Sequence, residues 1–366
     1  VLKNREVFRL ADLSQSVFSS LGLTGVTNYL EIPSSLGREV LFLLDGFGSF
    51  IFEDFKNEIP AIMASQSYRD LQSHFPSTTV TNLSSLGTGS YPDQHGMVGY
   101  TMRIPFAQPQ TPQLLNGLKW DQRIDPLTWQ RIPTLFERGL NQGISVNHIA
   151  ARRYEGSGFT RAALRGARYF GAHNDEEIID ALKAALASER SFTYLYLNDV
   201  DDAGHGAGIG SEKWIQALRR VDNLFEKIMK SIPAGTRIWL TADHGMINVG
   251  KKITLGEGNN LLQGIELLGG EPRARHLYIK PEDVDQVKQR WFDFFGDRIE
   301  LFTPVQGFGE EMSASIAARV GDLIAVPKDK SVLIEPERKN LQSQMVGHHG
   351  GVSEDELAIP LRSWIS

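Results

Sequence analysis

Carboxylates, imidazoles and a threonine hydroxyl recur beside glycine-rich turns in this sequence. Asp45 stands in Leu44-Asp45-Gly46, and Thr79 closes Phe75-Pro76-Ser77-Thr78-Thr79. Asp201 and His205 bound Asp201-Asp202-Ala203-Gly204-His205, Asp243 and His244 share Ala242-Asp243-His244-Gly245, and His349 opens His349-Gly350-Gly351. The chain contains no cysteine, which excludes disulfides, thiolate catalysis and sulfur-held metals. A divalent cation here must use oxygen and imidazole, a donor set that suits two zinc ions, with manganese or iron as substitutes. Asp201 and His205 are four apart, so in a turn or early helix both can face one ion. Asp243 and His244 are adjacent, so a loop is needed to turn both inward, unless they serve two ions.

The elements that must position these groups are legible in the apolar pattern. Val40-Leu41-Phe42-Leu43-Leu44, Phe192 to Leu197 and Thr236 to Leu240 are short apolar runs of the kind found in strands buried on both faces. Each is followed at once by a polar tip, the place where open α/β sheets gather their ligands. Gly143 to Ala150 alternates like a further strand. Glu176 to Ser188 and Trp214 to Ile232 carry helical apolar stripes. A helix opening at Thr79 and running to Gly87 would aim its amino-terminal amides at an anion. Val7 to Leu21 has looser helical spacing. Phe50 to Phe75 reads as helix divided at Pro60, and the proline-punctuated segment Gly99 to Asp125 reads as a long ordered loop. Lys251 to Pro336 differs in texture, with short strands at His276 to Ile279 and Leu323 to Val326 and a helix over Pro281 to Phe295. These features predict one catalytic domain over residues 1–366, with a mostly parallel sheet covered by helices and a smaller insertion at 251–336.

A chain of 366 residues carrying 38 basic and 44 acidic side chains has a net charge of −6 and no basic run. That argues against a broad nucleic-acid surface. No run of about eighteen apolar residues suggests a membrane span. The chain starts at Val1, which leaves a cytoplasmic and an exported bacterial protein, soluble in either case, equally open. Oligomeric state is not legible.

The ordered set of tips, together with Thr79-Val80-Thr81-Asn82, Thr88-Gly89-Ser90-Tyr91-Pro92 and His95-Gly96, resembles the type I phosphodiesterase and nucleotide pyrophosphatase family of the alkaline phosphatase superfamily. The resemblance implies a three-layer α/β/α sandwich. It assigns one zinc to Asp201, His205 and His349, and the other to Asp45, Asp243 and His244 with Thr79 beside it as ligand and nucleophile. Asn82 matches an asparagine that helps hold a phosphoryl oxygen. The implied activity is hydrolysis of phosphodiester or pyrophosphate-type bonds in a small phosphorylated substrate through a phosphothreonine. Phosphomonoesterase, phosphomutase and phosphonate hydrolase chemistry are the nearest alternatives, and a noncatalytic metal-binding scaffold is the alternative of another class. Two departures bear on substrate. Nucleotide-cleaving members usually carry Phe-Pro-Asn after the nucleophile, and Val80 has no ring to stack on a base. Asn198-Asp199-Val200 stands where relatives often have an acidic pair and proline.

Other polar residues have plainer readings. His348 is the less favoured neighbour of His349, His95 ties a turn to the site's outer shell, and His148 is a hydrogen-bonded core residue. Arg152, Arg153 and Tyr154 read as solvated surface, and Thr88 as packing beneath the nucleophile loop.

Overall fold

Seven strands of the computed structural model, which describes residues 7–105, 107 and 113–366, form the central sheet. Their spatial order is Gln66–Ser67, Leu361–Ile365, Thr236–Thr241, Arg38–Leu44, Ser191–Leu197, Ser145–Ala150 and Arg168–Gly171. The last five run parallel, and the first two close one edge antiparallel.

Register explains how helices come to cover both faces. Glu39 pairs with Phe192, so their side chains share one face, while Phe42, three residues on, points to the other. Phe192 lies 4.5 Å from Phe18 of helix Leu10–Ser20 and 5.5 Å from Phe136 of helix Leu135–Asn141. Phe42 instead meets Phe225 of helix Glu212–Ser231 at 6.3 Å. The result is the three-layer sandwich. Helix Glu212–Ser231 starts at a Ser211 cap and buries Trp214, Leu218, Val221, Leu224, Phe225 and Ile228. Each such side chain removed from water contributes about 1.5–3 kcal/mol before its entropy cost.

Because the five strands are parallel, the segments after Leu44, Leu197 and Thr241 emerge at the same end of the sheet. Residues 252–334 carry a separate antiparallel sheet, ordered Ile265–Glu271, Ala274–Ile279, Leu323–Pro327, Ile299–Phe302. Its own apolar cluster includes Leu255, Leu277, Trp291 and Leu333. Parallel pairing of Lys252–Thr254 with Val332–Ile334 ties the two ends of this region together.

Two segments differ from the sequence expectation. Phe50 to Phe75 is not a divided helix. It holds short helices Ile51–Asp54 and Pro60–Met63, a 3₁₀ turn at Lys56–Glu58, and strands Gln66–Ser67 and Leu71–Gln72. Pro60 opens its helix rather than kinking one, since the first helical turn needs no proline amide. Within Gly99 to Asp125, Thr101–Arg103 pairs antiparallel with Leu114–Asn116. Three-residue strands are too short for periodicity to reveal, and part of that stretch lies outside the described residues. No helix among the described residues is long and apolar enough to cross a membrane.

Candidate active site

Asp45 follows the central strand directly, and its backbone amide donates to Leu197 O at 2.9 Å, which pins the tip against the neighbouring strand. Gly46 follows at φ 71°, with the Asp201 side chain packed against it where a Cβ would stand. Only glycine suits that backbone and that gap. Asp201 and His205 lie on helix Asp199–Ala207, so the four-residue spacing does put both on one face. Asp243 and His244 leave strand Thr236–Thr241 in a turn that directs both inward. His349 arrives from the far end of the chain. It is held to the nucleophile loop by a Ser77–Gly350 bridge, with Gly350 N–H donating to Ser77 Oγ at 3.1 Å and Ser77 Oγ donating to Gly351 O at 2.8 Å.

These residues gather into two sets, Asp201, His205 and His349, and Asp45, Asp243 and His244, each able to offer three ligand atoms within 4.8 Å of one another. The sets adjoin, since the rings of His244 and His349 stack at 3.6 Å. Backbone carbonyls define the tautomers. His205 Nδ1 faces Gly347 O at 2.8 Å, His244 Nδ1 faces Gly245 O at 3.0 Å, and His349 Nδ1 faces Ser77 O at 2.9 Å. Each Nδ1 therefore carries the proton, and each Nε2 presents a lone pair inward, as metal-ligating histidines do.

The consequence is that imidazole lone pairs and the inner carboxylate oxygens face one another. His205 Nε2 and His349 Nε2 are 3.2 Å apart, with Asp201 oxygens 3.4 and 3.8 Å away. His244 Nε2 lies 3.3 Å from Asp45 Oδ1 and 3.4 Å from Asp243 Oδ2. Asp45 Oδ1, Asp201 Oδ1 and Asp243 Oδ2 are buried with no hydrogen-bond partner among the described residues. Buried lone pairs facing one another are unfavourable unless a cation lies between them. The donor chemistry of both sets fits a divalent metal.

Thr79 begins helix Thr79–Thr88, the residue before it being the cap position. Its Oγ1 lies 3.2 Å from His244 Nε2, and with Nδ1 protonated the hydroxyl is the donor. The amides of the first helical turn surround it with partial positive charge. Tyr196, unnoticed in the sequence, donates its hydroxyl to Asp45 Oδ2. Its signal was the strand pattern: Tyr194 and Tyr196 alternate onto one face just before a polar tip. Glu271, at the end of a strand in the smaller sheet, also lines the cleft and lies 3.9 Å from His349. Burial pushes its carboxyl up to about 8.

Asn82 does different work from that implied by the resemblance. Its side-chain oxygen accepts from His74 N–H at 2.7 Å, and its amide nitrogen faces His74 O, Pro76 O and Thr78 O at 3.1–3.3 Å. Wholly buried and fully engaged, it staples the loop that presents Thr79 and has no atom left for phosphorus. Val80 is also wholly buried, packed against Gly117, and offers no surface to a ligand. His95 bonds Ser85 Oγ at 2.9 Å, which ties the Pro92–His95 turn to the nucleophile helix. His148 sits in its strand, but Nδ1 has no partner among the described residues. Tyr154 is half-buried at the cleft wall, with Arg153 donating to its hydroxyl at 2.8 Å, so that pair is not simply solvated surface.

The carboxylates predict how the cation-free protein responds to pH. Burial, then mutual repulsion, raises Asp45 well above the ordinary range. Burial raises Asp201 likewise, and Asp243 to about 7. The buried imidazoles are shifted the other way, His95, His148 and His348 to about 3 and His244 and His276 to about 4, so above about pH 7.5, a unit beyond the ordinary imidazole value, they are neutral whether folded or not. Between about pH 7.5 and 9 the folded state therefore holds protons on carboxyls, above all Asp45, Asp201 and Glu271, that the unfolded chain has released. Stability must fall as pH rises, by about 1.4 kcal/mol per pH unit for each excess proton. Urea midpoints of chelator-treated protein should be lower at pH 9 than at pH 7.5, and zinc should reduce the difference to the share of Glu271. A midpoint that rises with pH in chelator would contradict this reading of the cluster.

Residues 40–352 match the family described as type I phosphodiesterase / nucleotide pyrophosphatase. The chain is 27% identical over 280 residues to human ectonucleotide pyrophosphatase/phosphodiesterase family member 1, an overlap of 69% of this chain and 28% of that protein. It is 27% identical over 192 residues to ectonucleotide pyrophosphatase/phosphodiesterase 2 of Saccharomyces cerevisiae, covering 48% of this chain and 38% of that one. The matched part is thus well under half of these curated relatives. In fold the chain resembles an inactive variant of murine ectonucleotide pyrophosphatase / phosphodiesterase 5 in complex with AMP, with a TM-score of 0.67 at 15% identity, covering 90% of this chain and 88% of that one. The profile match spans most of the chain and contains every residue of both cation sets: the protein belongs to the type I phosphodiesterase / nucleotide pyrophosphatase family of the alkaline phosphatase superfamily.

Proposed function

We propose that residues 1–366 form a single catalytic unit, with 251–336 inserted in it, that hydrolyses phosphodiester or pyrophosphate-type bonds with Thr79 as nucleophile. The observation that carries this reading is the Thr79 hydroxyl, 3.2 Å from His244 Nε2, at a helix N-terminus between two three-residue cation sets. Asp201, His205 and His349 would hold one cation, and Asp45, Asp243 and His244 the other. Zinc is the proposed metal, with manganese or iron as substitutes. Bound there, the pair would lower the pKa of the attacking hydroxyl and neutralise charge developing on the leaving oxygen.

The chain's own groups do the rest. The helix amino terminus attracts the phosphoryl oxygens, and the Asn82 staple keeps the loop from relaxing away from phosphorus. Thr79 Oγ1 forms its bond to phosphorus as the bond to the leaving oxygen breaks. Water then displaces Oγ1, and two inversions leave phosphorus with its original configuration. Beside Thr79 the wall is largely apolar and aromatic, which suits a diester's second substituent better than the extra charge of a monoester. The AMP held by the murine relative makes a nucleotide diester one substrate to test, although wholly buried Val80 provides no stacking ring.

The deciding assay compares bis-p-nitrophenyl phosphate with p-nitrophenyl phosphate on zinc-loaded protein. The diester should be preferred by at least about tenfold in kcat/KM, a barrier difference of about 1.4 kcal/mol. A monoester preference of that size would favour the phosphomonoesterase reading. No turnover of either ester, or of a nucleotide diester, would favour the scaffold reading.

A further inference from the structure

The two cation sets lean on one buried residue that belongs to neither. Glu356 lies in the short helix Glu354–Leu357, and its carboxylate and its backbone face different turns. Its Oε1 accepts from Gly351 N–H at 2.8 Å, two residues after His349. Its carbonyl oxygen accepts from Gly245 N–H at 2.9 Å, the residue after His244. Both glycines are packed too closely for any side chain. A Cβ on Gly351 would stand 2.7 Å from Glu356 Oε2, and one on Gly245 would run into Asp355 O. The turns that carry the two stacked imidazoles therefore rest directly on this helix.

Glu356 is itself held from the smaller sheet. Arg273 sits in the two-residue turn between strands Ile265–Glu271 and Ala274–Ile279. It meets the carboxylate as a fork, Nε donating to Oε1 at 3.0 Å and Nη2 to Oε2 at 2.9 Å. Its Nη1 donates to Asp329 O and Ser331 O, each at 2.6 Å. The two side chains are 1% and 0% exposed. Burial alone would raise the Glu356 carboxyl, but the adjacent guanidinium and the hydrogen bonds from Arg273, Ser353 and Gly351 bring it below the ordinary carboxylate range, so the pair is ionised. An ion pair withdrawn this far from water adds little net stability over apolar side chains of the same volume. What it adds is direction, because a planar fork fixes both the place and the orientation of the carboxylate.

We propose that Arg273 and Glu356 are positioning residues for both cation sets: the pair aims the His349 and His244 turns together, so the smaller sheet, through Arg273, sets how tightly each cation is held. The inference rests on the two-cation reading above and extends it to residues outside both sets. Groups that orient metal ligands from behind typically change metal affinity by about 10–100-fold. Here one group stands behind two ligands, since the Glu356 carboxylate fixes the turn after His349 and the Glu356 carbonyl fixes the turn after His244. The smaller sheet presses on the His349 turn at a second point. Glu271, on the other side of the Arg273 turn, fills the space beside Gly350, where a Cβ would stand 2.7 Å from its carboxyl carbon.

Zinc titration of metal-free protein against a chromophoric chelator tests this. Glu356→Gln keeps an acceptor for Gly351 N–H but puts an amide group where Arg273 and Ser353 donate, which breaks the fork. Both zinc equivalents should bind at least about tenfold more weakly than in the unmodified protein. Arg273→Lys, which keeps the charge but not the paired bonds, should weaken both as well. Glu39→Gln is the control for loss of a buried carboxylate. Glu39 is wholly buried, 3.7 Å from Arg237, near the start of the strand whose far end leads to Asp45. That variant should melt at a lower temperature and keep both zinc affinities. Unchanged zinc affinity in either Glu356→Gln or Arg273→Lys, where the variant folds, overturns the inference and leaves the two-cation reading standing. So does weakening of one equivalent only, equal weakening in Glu39→Gln, or failure of both variants of the pair to fold, which would make it a general element of stability. No zinc bound by the unmodified protein overturns the two-cation reading, and this inference with it.

Discussion

Thr79→Ala is expected to lower turnover of phosphodiesters by at least about a thousandfold, a loss of about 4 kcal/mol in transition-state stabilisation, with both cation sets still able to bind. The effect should appear in kcat, because the hydroxyl makes a bond that exists only after the substrate is seated. The competing view, that Thr79 merely caps its helix, fits the structure poorly. Thr78 is the cap residue, Thr79 is already helical, and the Thr79 hydroxyl turns to His244 rather than to the helix backbone. Loss of a cap would cost about 1 kcal/mol of stability and leave the chemical step alone. Thr79→Ser should retain a measurable fraction of activity, since the attacking oxygen survives while the methyl group that fixes its rotamer is lost. Rapid-quench kinetics on the three proteins separates the accounts. Near-normal turnover in the alanine variant removes Thr79 from the role of nucleophile.

The second large effect is expected at Asp243. This carboxylate is wholly buried, and its Oδ1 accepts from Gly46 N–H at 3.3 Å and His244 N–H at 3.0 Å while Oδ2 points into the acceptor cluster. It thus supports the Asp45 turn with one oxygen and offers the other to a cation. Asp243→Asn keeps an oxygen for the two amides and removes the charge. Turnover should fall at least about a hundredfold in this variant, in step with loss of one cation. Asp243→Ala should cost more, because it also leaves the two buried amides unpaired. Thermal melts with and without zinc show whether cation loss or misfolding is responsible. The asparagine variant should fold, melt near the chelated wild type, and gain less from zinc. Full activity and full zinc stabilisation in that variant would remove Asp243 from the set.

What the sequence made legible follows from where the information lies. Asp45 comes straight after Leu44, Asp201 four residues after Leu197, and Asp243 two after Thr241. Parallel strands bring such tips together without further detail. The Asp201–His205 spacing and the start of the nucleophile helix were equally local. The wall beside Thr79 was not legible in this way. His148 meets Tyr194 only because strands Ser145–Ala150 and Ser191–Leu197 pair in one register, and no spacing along the chain encodes that. Asn82 was misread for a related reason. A motif position says which residue stands near the nucleophile, whereas hydrogen bonds to His74, Pro76 and Thr78 decide where its side chain points. Glu271 belongs to a sheet with its own core, and nothing in its sequence surroundings linked it to His349.

Metal content tests the central claim most directly, because the two acceptor clusters make little physical sense without cations. Protein purified without chelator, or dialysed against zinc and then exchanged into metal-free buffer, should carry close to two transition-metal equivalents per chain by elemental analysis. His349→Ala and Asp243→Asn should each carry about one, because the first belongs to the set of Asp201 and His205 and the second to that of Asp45 and His244. Their combination should carry none. Two equivalents that fall by one in each variant are the result this account predicts. Magnesium alone, no retained metal, or unchanged stoichiometry in both variants would contradict it.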